Sequence, residues 1–196
     1  LGEPVDASPA IVGNEIYIRG RAHLYCIAYT KTSAPAPTSK PTSLKPELTA
    51  SVELSDLDND GDLDVLVANG RHWGGPNRAY YNNGKGAFTR VATIGTGKDR
   101  SYAARALDYN GDGLMDVAIA NDRQQSRIYL GQKNRKFTLG PAIGPATQNT
   151  RNLTIADLDN DKRPDILIAN RRAANFIYDH TPKGDLGKGR ILGSGA

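Results

Sequence analysis

Short apolar runs recur along this chain, and none of them has helical spacing. Val65-Leu66-Val67-Ala68, Val117-Ala118-Ile119-Ala120 and Ile166-Leu167-Ile168-Ala169 are continuous runs of the kind that form strands buried on both faces. Ahead of each lies an alternating segment, marked by Val52 and Leu54, Ala104 and Ala106, and Leu153 and Ile155. A period of two predicts a strand with one face inward. A third strand is expected at Tyr80-Tyr81, Ile128-Tyr129-Leu130 and Phe176-Ile177-Tyr178. Turn formers such as Asn82-Asn83-Gly84-Lys85-Gly86 follow, and Phe88-Thr89 and Phe137-Thr138 then open a fourth strand in the first two repeats.

Between the first and second strand of each repeat sits an acidic nonapeptide, beginning at Asp56, Asp108 and Asp157, spacings of 52 and 49 residues. Thirteen residues after each start comes an Asn: Asn69, Asn121 and Asn170. Four strands recurring at this period read as β-propeller blades. The expected fold class is all-β, with three four-stranded blades at about residues 48–98, 99–147 and 148–196. Propellers need at least about four blades, so the ring is incomplete. Gly187–Gly195 reads like Arg90–Gly97 ahead of the second loop, and is expected to approach a fourth repeat.

The first repeat carries four extra residues before its Tyr strand, within Gly70-Arg71-His72-Trp73-Gly74-Gly75-Pro76. This Gly-rich loop either presents His72 and Trp73 to a ligand or is a longer connection in which Trp73 caps a blade. Upstream, Ala10–Gly20 and His23–Ala28 predict a terminal β-hairpin within residues 1–30. Two strands alone are marginal in water, so this piece must dock on something. Residues 31–47 are rich in Pro, Ser and Thr and predict a semi-extended linker.

Each nonapeptide has an oxygen side chain at positions 1, 3, 5 and 9, a crowding of carboxylates that demands a counter-charge. Calcium accepts about six to eight oxygens in flexible geometry, and a curled loop supplies them from alternate residues. The first loop offers Asp56, Asp58, Asp60, the Asp62 carbonyl and Asp64. The second offers Asp108, Asn110, Asp112, the Leu114 carbonyl and Asp116. The third offers Asp157, Asp159, Asp161, the Arg163 carbonyl and Asp165. Gly61 and Gly113 at position 6 tolerate the positive φ of a sharp turn. Lys162 replaces that Gly in the third loop and Arg163 adds a second charge, so up to three Ca2+ ions are expected, the third bound most weakly. An EF-hand closes with Glu at position 12 between helices, whereas here position 12 is apolar and the flanks are strands.

Charge and composition add limits. The formal charge of +4 hides a segregation, because twelve of the 21 acidic residues lie in the nonapeptides. The remaining surface is basic, which raises a polyanion partner (acidic glycan, anionic surface or nucleic acid), but scattered Arg and Lys of this kind are usually solvated faces, and that simpler reading is preferred. No basic run with interleaved aromatics appears, so nucleic acid is not expected. No apolar run approaches the roughly 20 residues of a membrane-spanning helix. Leu1-Gly2-Glu3-Pro4 lacks a leader's basic and apolar regions, so a secreted form is expected to have shed one. The three histidines, His23, His72 and His180, pair by motif with no nucleophile, and no catalytic residue is expected.

The repeats resemble the FG-GAP/VCBS family of integrin-α-like β-propellers over about residues 48–196. The resemblance rests on the Asp-x-Asp/Asn-x-Asp-Gly-x-x-Asp loop, the Val/Ile run ending in Ala-Asn, and Asn77-Arg78 with Tyr81-Asn82-Asn83-Gly84-Lys85-Gly86 and Phe88-Thr89. Separately, Ala7–Ile27 is similar to the last strands of a PQQ-like propeller repeat. Together these imply one part of a larger chain or assembly: a calcium-binding module, extracellular, cell-surface or periplasmic, serving as an adhesion or interaction scaffold for protein or glycan. Two alternatives stand beside it. One is a lectin-like or accessory part of a larger carbohydrate-active or quinoprotein-like enzyme, and the other a structural subunit completed by neighbouring chains.

Overall fold

The computed structural model describes residues 47–192, together with the backbone of strands β1 (Ala10–Val12), β2 (Glu15–Arg19) and β3 (Leu24–Ala28). These three form an antiparallel meander rather than the expected hairpin. β1 pairs with β2 through Ala10–Tyr17, Ile11–Ile16 and Val12–Glu15, and β2 pairs in turn with β3. Apart from Glu47, the linker expected at 31–47 lies outside the described residues.

The described residues contain no helix. Three four-stranded antiparallel sheets follow one another, each with its strands in chain order. The first comprises β4 (Thr49–Ser55), β5 (Asp64–Asn69), β6 (Gly75–Tyr81) and β7 (Arg90–Asp99). The second comprises β8 (Ser101–Leu107), β9 (Asp116–Asn121), β10 (Ser126–Gly131) and β11 (Phe137–Ile143). The third comprises β12 (Thr150–Ala156), β13 (Asp165–Asn170), β14 (Phe176–Tyr178) and β15 (Arg190–Ile191). They are blades of a ring that these residues do not close.

The apolar runs are the second strands, and every residue of β5 and β9 is buried. Alternate residues of β9 serve opposite faces. Val117 and Ile119 join Leu66, Ala68 and Ile94 of the first blade, while Ala118 and Ala120 join Leu153, Ile166 and Ile168 of the third. Burial on both faces is what removes polar positions from these strands. The second loop residue points into the following blade: Leu57 is 5% exposed and Tyr109 4%, whereas the equivalent Leu158 is 46% exposed. No blade follows the third among the described residues.

Polar clips close both ends of each second strand. At its start, buried Asp64, Asp116 and Asp165 each accept two backbone hydrogen bonds. One comes from the loop (Leu57, Tyr109 or Leu158, all 2.9 Å), the other from the end of the third strand (Asn82, Gly131 or His180, 2.7–2.8 Å). At its far end, Asn69, Asn121 and Asn170 accept from Thr49, Ser101 and Thr150 hydroxyls at 2.8–3.0 Å. The same Asn amides donate to Pro76, Gln125 and Ala174 carbonyls at 2.8 Å. Each blade is thereby pinned across three strands.

Two sequence expectations change, the start of one outer strand and the length of one insertion. The fourth strand of the first blade begins at Arg90, not Phe88, because Ala87–Thr89 are spent rounding the turn. Arg190-Ile191 is the outer strand of the third blade, paired with Phe176-Ile177, the place that β7, to which the sequence likens this segment, holds in the first blade. Val65 pairs with Tyr80 and Val117 with Tyr129, so the first-repeat insertion is three residues, the separation from Asn being 11 against 8.

Candidate metal centres

The three acidic loops join first to second strands and therefore lie at one end of the blades. Asn59 Nδ2 of the first donates to the Gly113 carbonyl of the second at 2.7 Å, so neighbouring loops touch. Each is curled by two left-handed residues. Position 6 has φ of 91° at Gly61, 79° at Gly113 and 68° at Lys162. Position 4 is left-handed too, at Asn59 (59°), Gly111 (72°) and Asn160 (62°), which explains the Asn or Gly there. Lys162 adopts without a glycine the turn that its equivalents make with one.

The curl turns loop amides onto the first carboxylate. Asp60 and Gly61 donate to Asp56 at 3.1 and 3.0 Å, Gly111 and Gly113 to Asp108 at 2.9 and 3.0 Å, and Asp161 and Lys162 to Asp157 at 3.1 and 2.9 Å. Oxygens of Asp56, Asp58 and Asp60 then lie within 4.8 Å of one another, and so do those of Asp157, Asp159 and Asp165. Both clusters could hold a metal ion.

The remaining expected ligands are placed differently from loop to loop. Asp165 belongs to the third cluster, whereas Asp64 stands outside the first and serves the strand clip. Asp161 is turned onto the guanidinium of Arg163, which also donates from Nε to the His180 carbonyl at 2.9 Å. In the second loop Asn110 donates to Asp112 at 2.9 Å, and Asp116 is held in its clip. Asp62, Leu114 and Arg163, the expected carbonyl donors, are half-buried where each loop closes.

Arg135, from the turn between β10 and β11 of the second blade, enters the first loop. Its Nε lies 2.5 Å from Asp58 Oδ2 and its Nη2 3.8 Å from Asp60 Oδ2, while the guanidinium sits 5.3 Å over the Tyr81 ring. The Asp58 side chain is only 6% exposed, and neither of its oxygens accepts a well-formed hydrogen bond. A buried, under-satisfied carboxylate beside two others is a donor set that suits a hard cation. The sequence hid this arginine: the first repeat has Gly86 at the equivalent turn position, and both residues are left-handed, at 71° and 60°.

Burial dominates the acid–base behaviour. It pushes the Asp64 carboxyl up to about 6, against the two amides that favour its ionised form, with Asp58 and Asp60 adding repulsion. Burial likewise raises Asp116. Asp58 is raised by burial, opposed by Arg135, and raised further by Asp60 and Asp56. A cation would supply the opposing charge that holds these groups ionised.

His72 and Trp73 lie in the β5–β6 connection, at the opposite end from the loops. Trp73 is 71% exposed, so it does not cap a blade. His72 Nδ1 lies 3.0 Å from the Tyr102 hydroxyl of the second blade. No curated protein matches the chain. The model of the FG-GAP-like repeat matches residues 56–119 and again 108–168, each match running from one acidic loop into the second strand of the next repeat. Together the matches span more than half of the 196 residues, and the chain belongs to the FG-GAP-like repeat family.

Proposed function

We propose that this chain is a calcium-stabilised, extracytoplasmic propeller module that serves as a binding scaffold and carries no catalytic site of its own. The observation that carries the reading is the convergence of Asp56, Asp58 and Asp60 within 4.8 Å, repeated by Asp157, Asp159 and Asp165. In the same frame the second loop holds Asp108, Asn110 and Asp112. Calcium would neutralise these groups and hold the loop between the first two strands of its blade. With a dissociation constant near 0.1 mM and millimolar calcium outside the cell, each site stabilises the blades by roughly 1.4 kcal/mol. Several such sites are a large fraction of a domain's stability. Thermal melting in EDTA and in 2 mM calcium tests this: the calcium form melts higher, and identical curves refute it.

A second reading, completion of the ring by further blades or a neighbouring chain, is favoured by Leu158. Its equivalents Leu57 and Tyr109 are covered by the next blade, whereas Leu158 is 46% exposed. Sedimentation tests the neighbouring-chain form of this reading, which predicts association; a stable 21.1 kDa monomer argues against that form.

A further inference from the structure

The turn joining second to third strand carries the same residue in all three blades. Arg71, Arg123 and Arg172 each stand two places after the clipping Asn, each exposed and each left-handed, with φ of 36°, 56° and 57°. Asn or Gly adopts that backbone with less strain, and the chain uses both at left-handed positions in its acidic loops. The repeated arginine therefore points to a requirement for its side chain. Among the described residues, no carboxylate pairs with these three guanidinium groups.

The blades hold these turns in a row. The Arg71 amide donates to the Ser101 carbonyl at 3.1 Å and that of Arg123 to Gln148 at 2.8 Å, so the first two turns lean on the following blade. Gly74 packs so closely that a Cβ there would lie 2.5 Å from the Lys98 carbonyl, which fixes Trp73 beside that junction. Lys98 and Arg100 add positive charge at the same end. Its described acids are engaged: Asp99 accepts from Thr96, buried Asp122 pairs with Arg151 at 2.8 Å, and Glu47 pairs with Arg78 at 2.9 Å. Arg151 in turn covers the Tyr102 ring at 4.1 Å.

We propose that this end of the blades, opposite the acidic loops, is a docking surface for an acidic polysaccharide. Its carboxylate or sulfate groups are met by Arg71, Arg123 and Arg172, one from each blade, and its sugar rings stack on Trp73. Planar guanidinium groups pair with such oxyanions in a fork. Stacked sheets lie about 10 Å apart, so the row offers charge at a wide, regular interval suited to the repeat of an acidic glycan. Nucleic-acid phosphates recur more finely, at about 3.4 Å per strand. A purely acidic peptide such as polyglutamate offers no ring for Trp73 and loses more conformational freedom on docking. The proposal rests on the binding-scaffold reading and names its partner and face.

Affinity electrophoresis of the calcium-loaded 196-residue chain through gels containing hyaluronan, dextran sulfate, neutral dextran or polyglutamate tests it, with single-stranded DNA as a further competitor. Retardation by hyaluronan assigns the carboxylate, and by dextran sulfate the sulfate; neutral dextran has no effect. The triple variant Arg71→Asn, Arg123→Asn, Arg172→Asn binds about tenfold more weakly or less. It melts no lower than the parent, because Asn accepts the left-handed backbone. Trp73→Ala weakens polysaccharide binding alone, and Lys85→Gln with Lys133→Gln at the other end changes nothing. The proposal is overturned if neither polysaccharide binds, if the triple variant binds as the parent does, or if polyglutamate or DNA binds as tightly. Melting of the same samples with and without EDTA separates failure of the calcium reading from failure of the docking surface.

Discussion

Replacing Arg135 with Gln should tighten calcium binding at the first loop. Without metal, Arg135 supplies the counter-charge there, with Nε 2.5 Å from Asp58 and Nη2 3.8 Å from Asp60. An ion pair between a carboxylate 6% exposed and a guanidinium 31% exposed exceeds the surface range of up to about 1 kcal/mol and contributes about 1.5 kcal/mol. A cation among Asp56, Asp58 and Asp60 must take the Asp58 oxygen and repel the guanidinium. The ion pair thus stabilises the metal-free form alone, and by linkage its loss raises affinity by the same energy. About 1.5 kcal/mol corresponds to roughly tenfold tighter binding. The same loss lowers the melting temperature in EDTA by about 3–6 °C. Titration calorimetry of parent and Arg135→Gln reads the first effect and melting in EDTA the second. Unchanged affinity together with unchanged melting refutes the competition.

Other consequences follow from the same geometry. Asn121→Ala strands the Ser101 hydroxyl and the Gln125 carbonyl and should lower stability by about 2–4 kcal/mol in urea denaturation; a loss below 1 kcal/mol would deny the clip its role. Lys162→Gly relaxes a residue held at φ 68° and removes a charge from the third loop, so it should raise both EDTA melting and calcium affinity there. In EDTA, the Asp64 carboxyl, raised to about 6 in the fold, contributes stability that is full below about 4 and lost as pH rises through 6. Metal-free protein should therefore gain stability from pH 7 to 5, whereas calcium-loaded protein should lose it as protons displace the ion; a parallel dependence in melting would contradict this.

The blades were legible because their signals are local and repeated. Val65–Ala68 and its two copies show burial on both faces directly in their composition, and position 6 shows its left-handed turn through Gly61 and Gly113. What stayed hidden depends on contacts between repeats or on exceptions within one. Arg135 reaches the first loop from 75 residues beyond Asp60, and nothing local marks it except an Arg where the first repeat has Gly. Asn69, Asn121 and Asn170 were visible as a period but not as clips, since their hydroxyl partners stand 20 residues upstream. Asp64 and Asp165 occupy the same loop position, yet only Asp165 joins its cluster, a distinction set by side-chain placement rather than residue type. The Arg71, Arg123 and Arg172 series stands in the sequence two places after each Asn, but its left-handed backbone, which sets it apart from other exposed arginines, shows only in the fold.

The central claim is that these loops are calcium sites, and calorimetric titration of EDTA-stripped protein with calcium in a background of 1 mM magnesium tests it most directly. The account predicts saturable binding of two or three ions at about 0.1 mM, the third loop weakest and its signal lost in Asp157→Ala. No calcium-specific heat, or binding abolished by magnesium, would contradict it.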